Sequence, residues 1–136
     1  MIVEMSSVSN IDFIKLLLST MVINNNFIFD NYELENKLGE LYNDPKYKSL
    51  LKNIILSNNN TLDFVKFYSA LSLVHAVGLT KLIQNSKISK TIIILSKNEA
   101  EEILNSYSKN VVSLVRDIYN EIYKPNVKIL NKIKRI

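Results

Sequence analysis

The chain has 136 residues, of which 47% are hydrophobic, with 17 basic and 13 acidic side chains and no cysteine. This length is ordinary for one domain and suffices to bury a hydrophobic core without cross-links or metal. A chain without cysteine has no disulfide, no thiol nucleophile and no Cys-ligated zinc or iron–sulfur centre. We therefore expect a single intracellular, cytoplasmic domain over residues 1–136.

The excess positive charge lies at the C-terminus. Residues 124–136 hold five cations and no acid, whereas residues 1–123 hold twelve cations and 13 acids. The sequence predicts a short basic amphipathic tail helix over 125–136, with isoleucines on one face. Such a helix can bind nucleic acid, an anionic membrane or an acidic protein groove, or it can pack its isoleucines onto the domain itself. Its cationic contact residues are Lys128, Lys132, Lys134 and Arg135.

The first apolar stretch, from Ile11 to Ile23, predicts a helix that is buried nearly all round. Ser9 or Asn10 is the expected N-cap, and the helix should end near Asn24. Charged residues interrupt the stretch, and it has neither a basic leader nor a small-residue cleavage site, so it is not a signal peptide. No segment reaches the roughly 20 uninterrupted apolar residues of a transmembrane helix.

Three further helices follow. Residues 32–42 alternate apolar and charged positions at helical spacing, which predicts a helix with one solvated face. Asp44-Pro45 is a strong start signal for a third helix that ends near Leu56. Thr61 and Asp63 open a fourth helix that runs to Ala76, and Gly78 is expected as its left-handed C-cap.

The pattern changes between Gly78 and Ser96. Two apolar runs, 79–83 and 91–95, flank a polar segment, and the second run is rich in β-branched residues. Runs of this length and composition favour strands over a helix. We predict one β-hairpin at about residues 79–95.

A long helix is predicted over residues 97–123. Ser96 and Glu99 have the spacing of a capping box, an apolar stripe continues at steps of three and four residues, and Pro125 ends the pattern. At about 1.5 Å per residue this helix would be roughly 40 Å long. The predicted fold class is mostly α: a compact single-domain bundle of about five helices with one small hairpin.

No group of residues predicts catalysis, a metal site or a cofactor. His75 is the only histidine and lies among apolar residues, so a core or edge histidine with one satisfied hydrogen bond is the better interpretation. Glu99, Glu101 and Glu102 fall in the first turn of a helix, where exposed amides favour negative charge. The two glycines stand alone, which does not fit a phosphate-binding loop. We expect a non-enzymatic protein.

The element order over about residues 31–123, three helices, a hairpin and a long helix, is similar to that of winged-helix DNA-binding regulators. That resemblance implies that the helix ending at Ala76 enters the major groove and that the hairpin contacts the DNA backbone. This helix offers Lys66 but no arginine, which is more typical of a core helix. The hairpin offers Lys81, Lys87 and Lys90 for phosphate contact.

The first functional hypothesis is a regulatory module that binds a protein partner. Small helical proteins of this kind are common among antitoxins, immunity proteins and the host-defence inhibitors of phages and viruses. The many apolar residues predict a surface for a partner or for a homodimer, and the long helix is the first choice for self-association. The expected contact residues on it are Tyr107, Val111, Leu114, Ile118, Tyr119 and Ile122.

Overall fold

A computed structural model of the chain describes residues 8–56, 63–84 and 89–123. In chain order the elements are α1 (Asn10–Ile23), β1 (Ile28–Asp30), α2 (Asn31–Leu41), α3 (Pro45–Ile55), α4 (Val65–Ala76), β2 (Thr80–Gln84), β3 (Ser89–Ile93), α5 (Lys97–Asn105) and α6 (Lys109–Tyr123). The mostly helical fold class with a small hairpin is confirmed. The predicted tail helix lies outside the described residues.

Helix α1 forms the centre of the fold. It packs against α3, α4, α5 and α6, and its residues are buried around most of the circumference. Ser9 is its N-cap: the Ser9 side chain accepts from the Asp12 amide, and the Asp12 side chain accepts from the Ser9 amide. The capping box fixes where the most buried helix begins, because it satisfies amide groups that have no partner inside the helix.

Other local start and stop signals also act as predicted, except at α4, where Phe64 is the N-cap without a side-chain hydrogen bond and Thr61 lies outside the described residues. Asp44 caps α3, with Pro45 at its first position, and the Ser96–Glu99 capping box opens α5. Asp63 accepts a hydrogen bond from the Val65 amide at the start of α4. Gly78 follows α4 with a φ of +84°, a conformation that side chains with a Cβ rarely adopt.

The predicted hairpin is part of a larger sheet. Strand β3 pairs with β2 and also with β1, both antiparallel, so the strand order is β1-β3-β2. Sequence reasoning missed β1, whose three residues follow the turn at Asn24 to Asn26. Phe29, Thr91 and Ile93 are buried on the inner face, which joins the helical core.

The prediction of one continuous helix over 97–123 is corrected. The helix begins at Lys97 and ends at Tyr123 as expected, but residues 106–108 divide it into α5 and α6. The Ser106 hydroxyl donates to the Ile103 carbonyl, and the Ser108 hydroxyl accepts from the Val111 amide. Serine side chains that bond locally to the backbone compete with the helical ladder, and two of them flank the break. The described residues therefore contain six helices.

A buried polar contact joins α2 to the sheet. The Asn31 side chain accepts from the Thr91 hydroxyl at 2.7 Å and donates to the Ser89 hydroxyl at 2.9 Å. Asn31 and Thr91 are 4% and 0% exposed, so each polar group finds its partner inside the protein.

None of the helices in the described part of the chain combines the length and the apolar character that a membrane span requires.

Candidate protein-binding surface

The residues predicted for self-association lie inside the protein. Val111 and Ile118 are fully buried, Tyr107, Tyr119 and Ile122 are less than 10% exposed, and Leu114 is half-buried against the same core. The stripe packs inward because α1 is apolar on nearly every side and α5 and α6 cover part of it. The exposed face of α6 is the opposite one.

The predicted cationic residues separate into two groups. Lys81 and Lys90 lie on the outer face of the sheet: Lys81 is in register with Ile92, and Lys90 lies between Asp30 and Ile83 in neighbouring strands. Lys87 and the four tail residues Lys128, Lys132, Lys134 and Arg135 lie outside the described residues.

The exposed face of α4, the helix that the winged-helix resemblance places in the major groove, carries one cation, Lys66, and no arginine. Val65 and Leu73 are 67% and 46% exposed, and the small side chains of Ser69, Ser72 and Ala76 are exposed beside them. At its side, the Tyr68 hydroxyl donates to the Glu35 carboxylate at 2.7 Å, which adds an acid to this surface. Sequence-specific contact with DNA uses Arg, Lys, Asn and Gln side chains, so the composition of this face disfavours that role.

A groove of about 680 Å³ lies where α5 and α6 meet. Its apolar lining comes from Ile23 at the end of α1, Leu104 of α5 and Val112 of α6, all of which are at least partly exposed. The remaining lining consists of the buried Tyr107 and of exposed polar and charged side chains, namely Glu101, Asn105, Lys109, Ser113 and Arg116. An apolar floor with a few charged groups at its margin is typical of a binding groove.

Tyr107 fixes the base of this groove. It lies in the connection between α5 and α6, and its hydroxyl donates to an Asp12 carboxylate oxygen at 2.5 Å. Asp12 belongs to the capping box of α1, so one carboxylate joins the first helix to the break between the last two. This contact spans 95 positions in sequence. Because the two residues are so far apart in sequence, the helical stripe alone does not predict the break.

The contact perturbs both titrating groups. Burial alone would raise the pKa of Asp12, but hydrogen bonds from Tyr107 and Ser9, together with the charge of Lys15, outweigh it, so the Asp12 pKa lies below its ordinary value of 3.8. Burial raises the pKa of Tyr107 above its ordinary value of 10.0, and the hydrogen bond to Asp12 and its charge add to this. The pair is therefore a neutral phenol donating to a carboxylate at neutral pH.

Lys109 and Arg116 place two cations at the groove margin, against one acid, Glu101. They lie on the solvent face of α6 with Val112 and Ser113 between them, because positions three, four and seven residues apart share a helical face. Within the part of the chain that the structure describes, neither makes an ion pair; the two present there are Lys37–Glu40 and Lys46–Asp117. Sequence reasoning missed these residues because it assigned importance to the buried face of the same helix.

The single histidine has a structural contact. His75 Nδ1 is hydrogen-bonded to the Thr80 hydroxyl, which joins the end of α4 to the start of β2. This agrees with the prediction of one satisfied hydrogen bond. The described residues hold no cluster of three or more His, Cys, Asp or Glu side chains suited to a metal ion.

Comparisons with models of protein families, with curated proteins and with solved structures found no match for this chain.

Proposed function

We propose that this chain is a regulatory protein-binding module that acts by binding and not by catalysis, and that the groove between α5 and α6 receives its protein partner. The observation that carries the proposal is the combination of an apolar lining, formed by Ile23, Leu104 and Val112, with two exposed cations, Lys109 and Arg116. Apolar area supplies most of the driving force in protein association, whereas charges at the margin select the partner.

The lining favours a particular kind of partner segment. Two α-helices border the groove, so a segment that lies along it meets side chains at helical spacing. An amphipathic helix fits such a surface with its apolar side, as in other helix-in-groove complexes. Carboxylates next to that apolar side would pair with Lys109 and Arg116. We therefore propose an acidic amphipathic segment of another protein as the ligand.

The first experiment places a photo-crosslinking amino acid at Ser113, inside the groove, or at Lys48, an exposed control position on α3. The full chain with either substitution is irradiated in an extract of the cells that produce it naturally. We expect a discrete covalent adduct from position 113 and none of the same mass from position 48. Equal adducts from both positions would contradict a docking site in the groove.

A charge-reversal pair then tests whether the adduct depends on the groove margin. Lys109→Glu with Arg116→Glu should abolish the adduct, because both reversed charges would repel an acidic segment. Lys52→Glu with Lys97→Glu changes the net charge equally at exposed positions on α3 and α5 and should leave the adduct intact. Loss of the adduct in both double variants would indicate attraction by net charge, and survival in both would refute the proposed role of the margin.

A further inference from the structure

Strand β2 is an open edge of the sheet. The order β1-β3-β2 leaves one side of β2 without a neighbouring strand in the described part of the chain, and every residue from Lys81 to Gln84 is exposed. The opposite edge differs, because β1 has only three residues and its last one, Asp30, is already the N-cap of α2. An open edge with apolar side chains is a template for pairing with another strand.

The register shows which backbone groups point outward from β2. Thr80 is paired with Ile93, so Leu79 lies opposite Ile94 in the next position of the ladder. The Ile94 amide donates to the Leu79 carbonyl at 2.8 Å, which makes Leu79–Ile94 a hydrogen-bonded pair. Hydrogen-bonded and non-hydrogen-bonded pairs alternate in an antiparallel ladder, so Lys81 and Ile83 bond to β3. Leu82 and Gln84 therefore direct their N–H and C=O groups away from β3, toward the open edge.

We propose that β2 pairs with β2 of a second copy of this chain, antiparallel, with the twofold axis at Ile83. In that register Leu82 of each copy lies opposite Gln84 of the other, and each such pair exchanges two backbone hydrogen bonds. Ile83 lies opposite Ile83 of the second copy, at a non-hydrogen-bonded position where side chains approach most closely. The 43% exposed Ile83 and 42% exposed Leu82 both lose contact with water in the pair.

The charges on the outer face fit this register. The row that contains Ile83 continues through Lys90 to Asp30 within one copy, so the row across the dimer reads acid, base, Ile83, Ile83, base, acid. The two Lys90 residues are three strand spacings apart, about 14 Å, which exceeds a Debye length of about 8 Å at physiological salt. No like charges face each other at the axis, and each Lys90 keeps an acidic neighbour in its own sheet. The edge is self-complementary, which is what a closed symmetric dimer requires.

A pair of charge variants tests the axis. In sedimentation velocity over a concentration series, the full chain should show a reversible monomer–dimer equilibrium. Ile83→Lys and Ile83→Glu each place like charges opposite one another and should each weaken dimerisation by about tenfold or more. An equimolar mixture of the two variants should form a heterodimer, because lysine then faces glutamate. Circular dichroism checks that each variant keeps its fold.

The register has its own test, because the chain contains no native cysteine. Ile83→Cys should form an intermolecular disulfide under mild oxidation, since non-hydrogen-bonded partners on antiparallel strands lie about 4.5 Å apart at Cα, within the range of a disulfide. Leu82→Cys is the matched control, because in this register it faces Gln84 and points to the other side of the sheet. Leu82→Pro removes an outward amide without breaking the β2–β3 ladder and should also weaken dimerisation about tenfold.

Three results would overturn the proposal. The first is a chain that stays monomeric up to about 1 mM. The second is a mixture of the lysine and glutamate variants that dimerises no better than either alone, which would mean that position 83 is not at the axis. The third is a β2 edge whose amides at Leu82 and Gln84 are protected from hydrogen exchange equally at low and high concentration, because another part of the same chain would then cover it.

Discussion

Removal of the Tyr107 hydroxyl, by Tyr107→Phe, is expected to lower the free energy of unfolding by about 1.5 to 2 kcal/mol near neutral pH. A hydrogen bond to a charged group contributes about 1.5 to 3 kcal/mol. Asp12 is only partly buried and keeps its bonds to Ser9 in the variant, so the lower part of that range applies. Phenylalanine fills the same space, which leaves the packing at the break between α5 and α6 intact.

The pH dependence separates this contact from simple packing. The folded-state pKa of Asp12 lies below its ordinary value of 3.8, so its contribution to stability is fully present above that value and is lost as the pH falls through the folded pKa. Tyr107 provides one of the bonds that lower this pKa. The difference in stability between the native chain and Tyr107→Phe should therefore shrink as the pH falls below 3.8.

The assay is urea unfolding followed by circular dichroism, repeated from neutral to acidic pH. Tyr32→Phe deletes the same atom from a side chain that is 65% exposed and should change stability by less than about 0.5 kcal/mol. Stability at alkaline pH is less informative about Tyr107, because burial also raises the pKa of Tyr68 and Tyr123 above 10.0. The stability that each of these neutral tyrosines contributes is lost as the pH rises above 10.0. A stability difference for Tyr107→Phe that stays constant between neutral pH and pH values below 3.8 would refute the coupling to Asp12.

Two other substitutions test the contacts that hold the sheet in place. Asn31→Ala leaves the Thr91 hydroxyl without its buried acceptor and should lower the free energy of unfolding in urea by about 1 to 3 kcal/mol. Asn36 is exposed on the same helix, and Asn36→Ala should lower it by less than about 0.5 kcal/mol. Equal losses in the two variants would contradict the role of the buried contact. Gly78→Ala should lower stability by about 1 kcal/mol through backbone strain alone, because no atom lies within 4 Å of the added Cβ and φ is +84°. An unchanged unfolding midpoint for Gly78→Ala would show that the turn adopts another conformation.

The features that the sequence predicts correctly depend on neighbouring residues. The N-cap at Ser9, the capping box at Ser96, the Asp44-Pro45 start and the Gly78 cap each involve residues within three or four positions, and local hydrogen bonds and backbone geometry make them favourable. The burial of α1 on nearly every side also follows from its composition, since a helix apolar all round has no side suited to water.

The features that it misses depend on distant contacts. Strand β1 is too short to form a recognisable pattern and exists through its pairing with β3, whose paired residues lie 60 to 64 positions later. The break after α5 is hidden because Ile103, Tyr107 and Val111 keep a four-residue spacing through it. Ser106 and Ser108 are the local signal that indicates the break, whereas the Tyr107–Asp12 bond that stabilises it is not visible in the sequence.

The candidate surface differs from the surface that the apolar stripe of the last helices predicts. An apolar stripe on a helix shows only that this face is buried, and it does not show whether the covering surface belongs to the same chain or to another. Here α1 covers the stripe, and both proposed binding surfaces are exposed instead: the opposite face of α6 at the groove, and the open edge of β2. The two surfaces share no residue. A dimer joined at Ile83 would present two grooves, so a monomeric Ile83 variant should keep its intrinsic affinity for the partner segment and lose only the avidity that two linked sites provide.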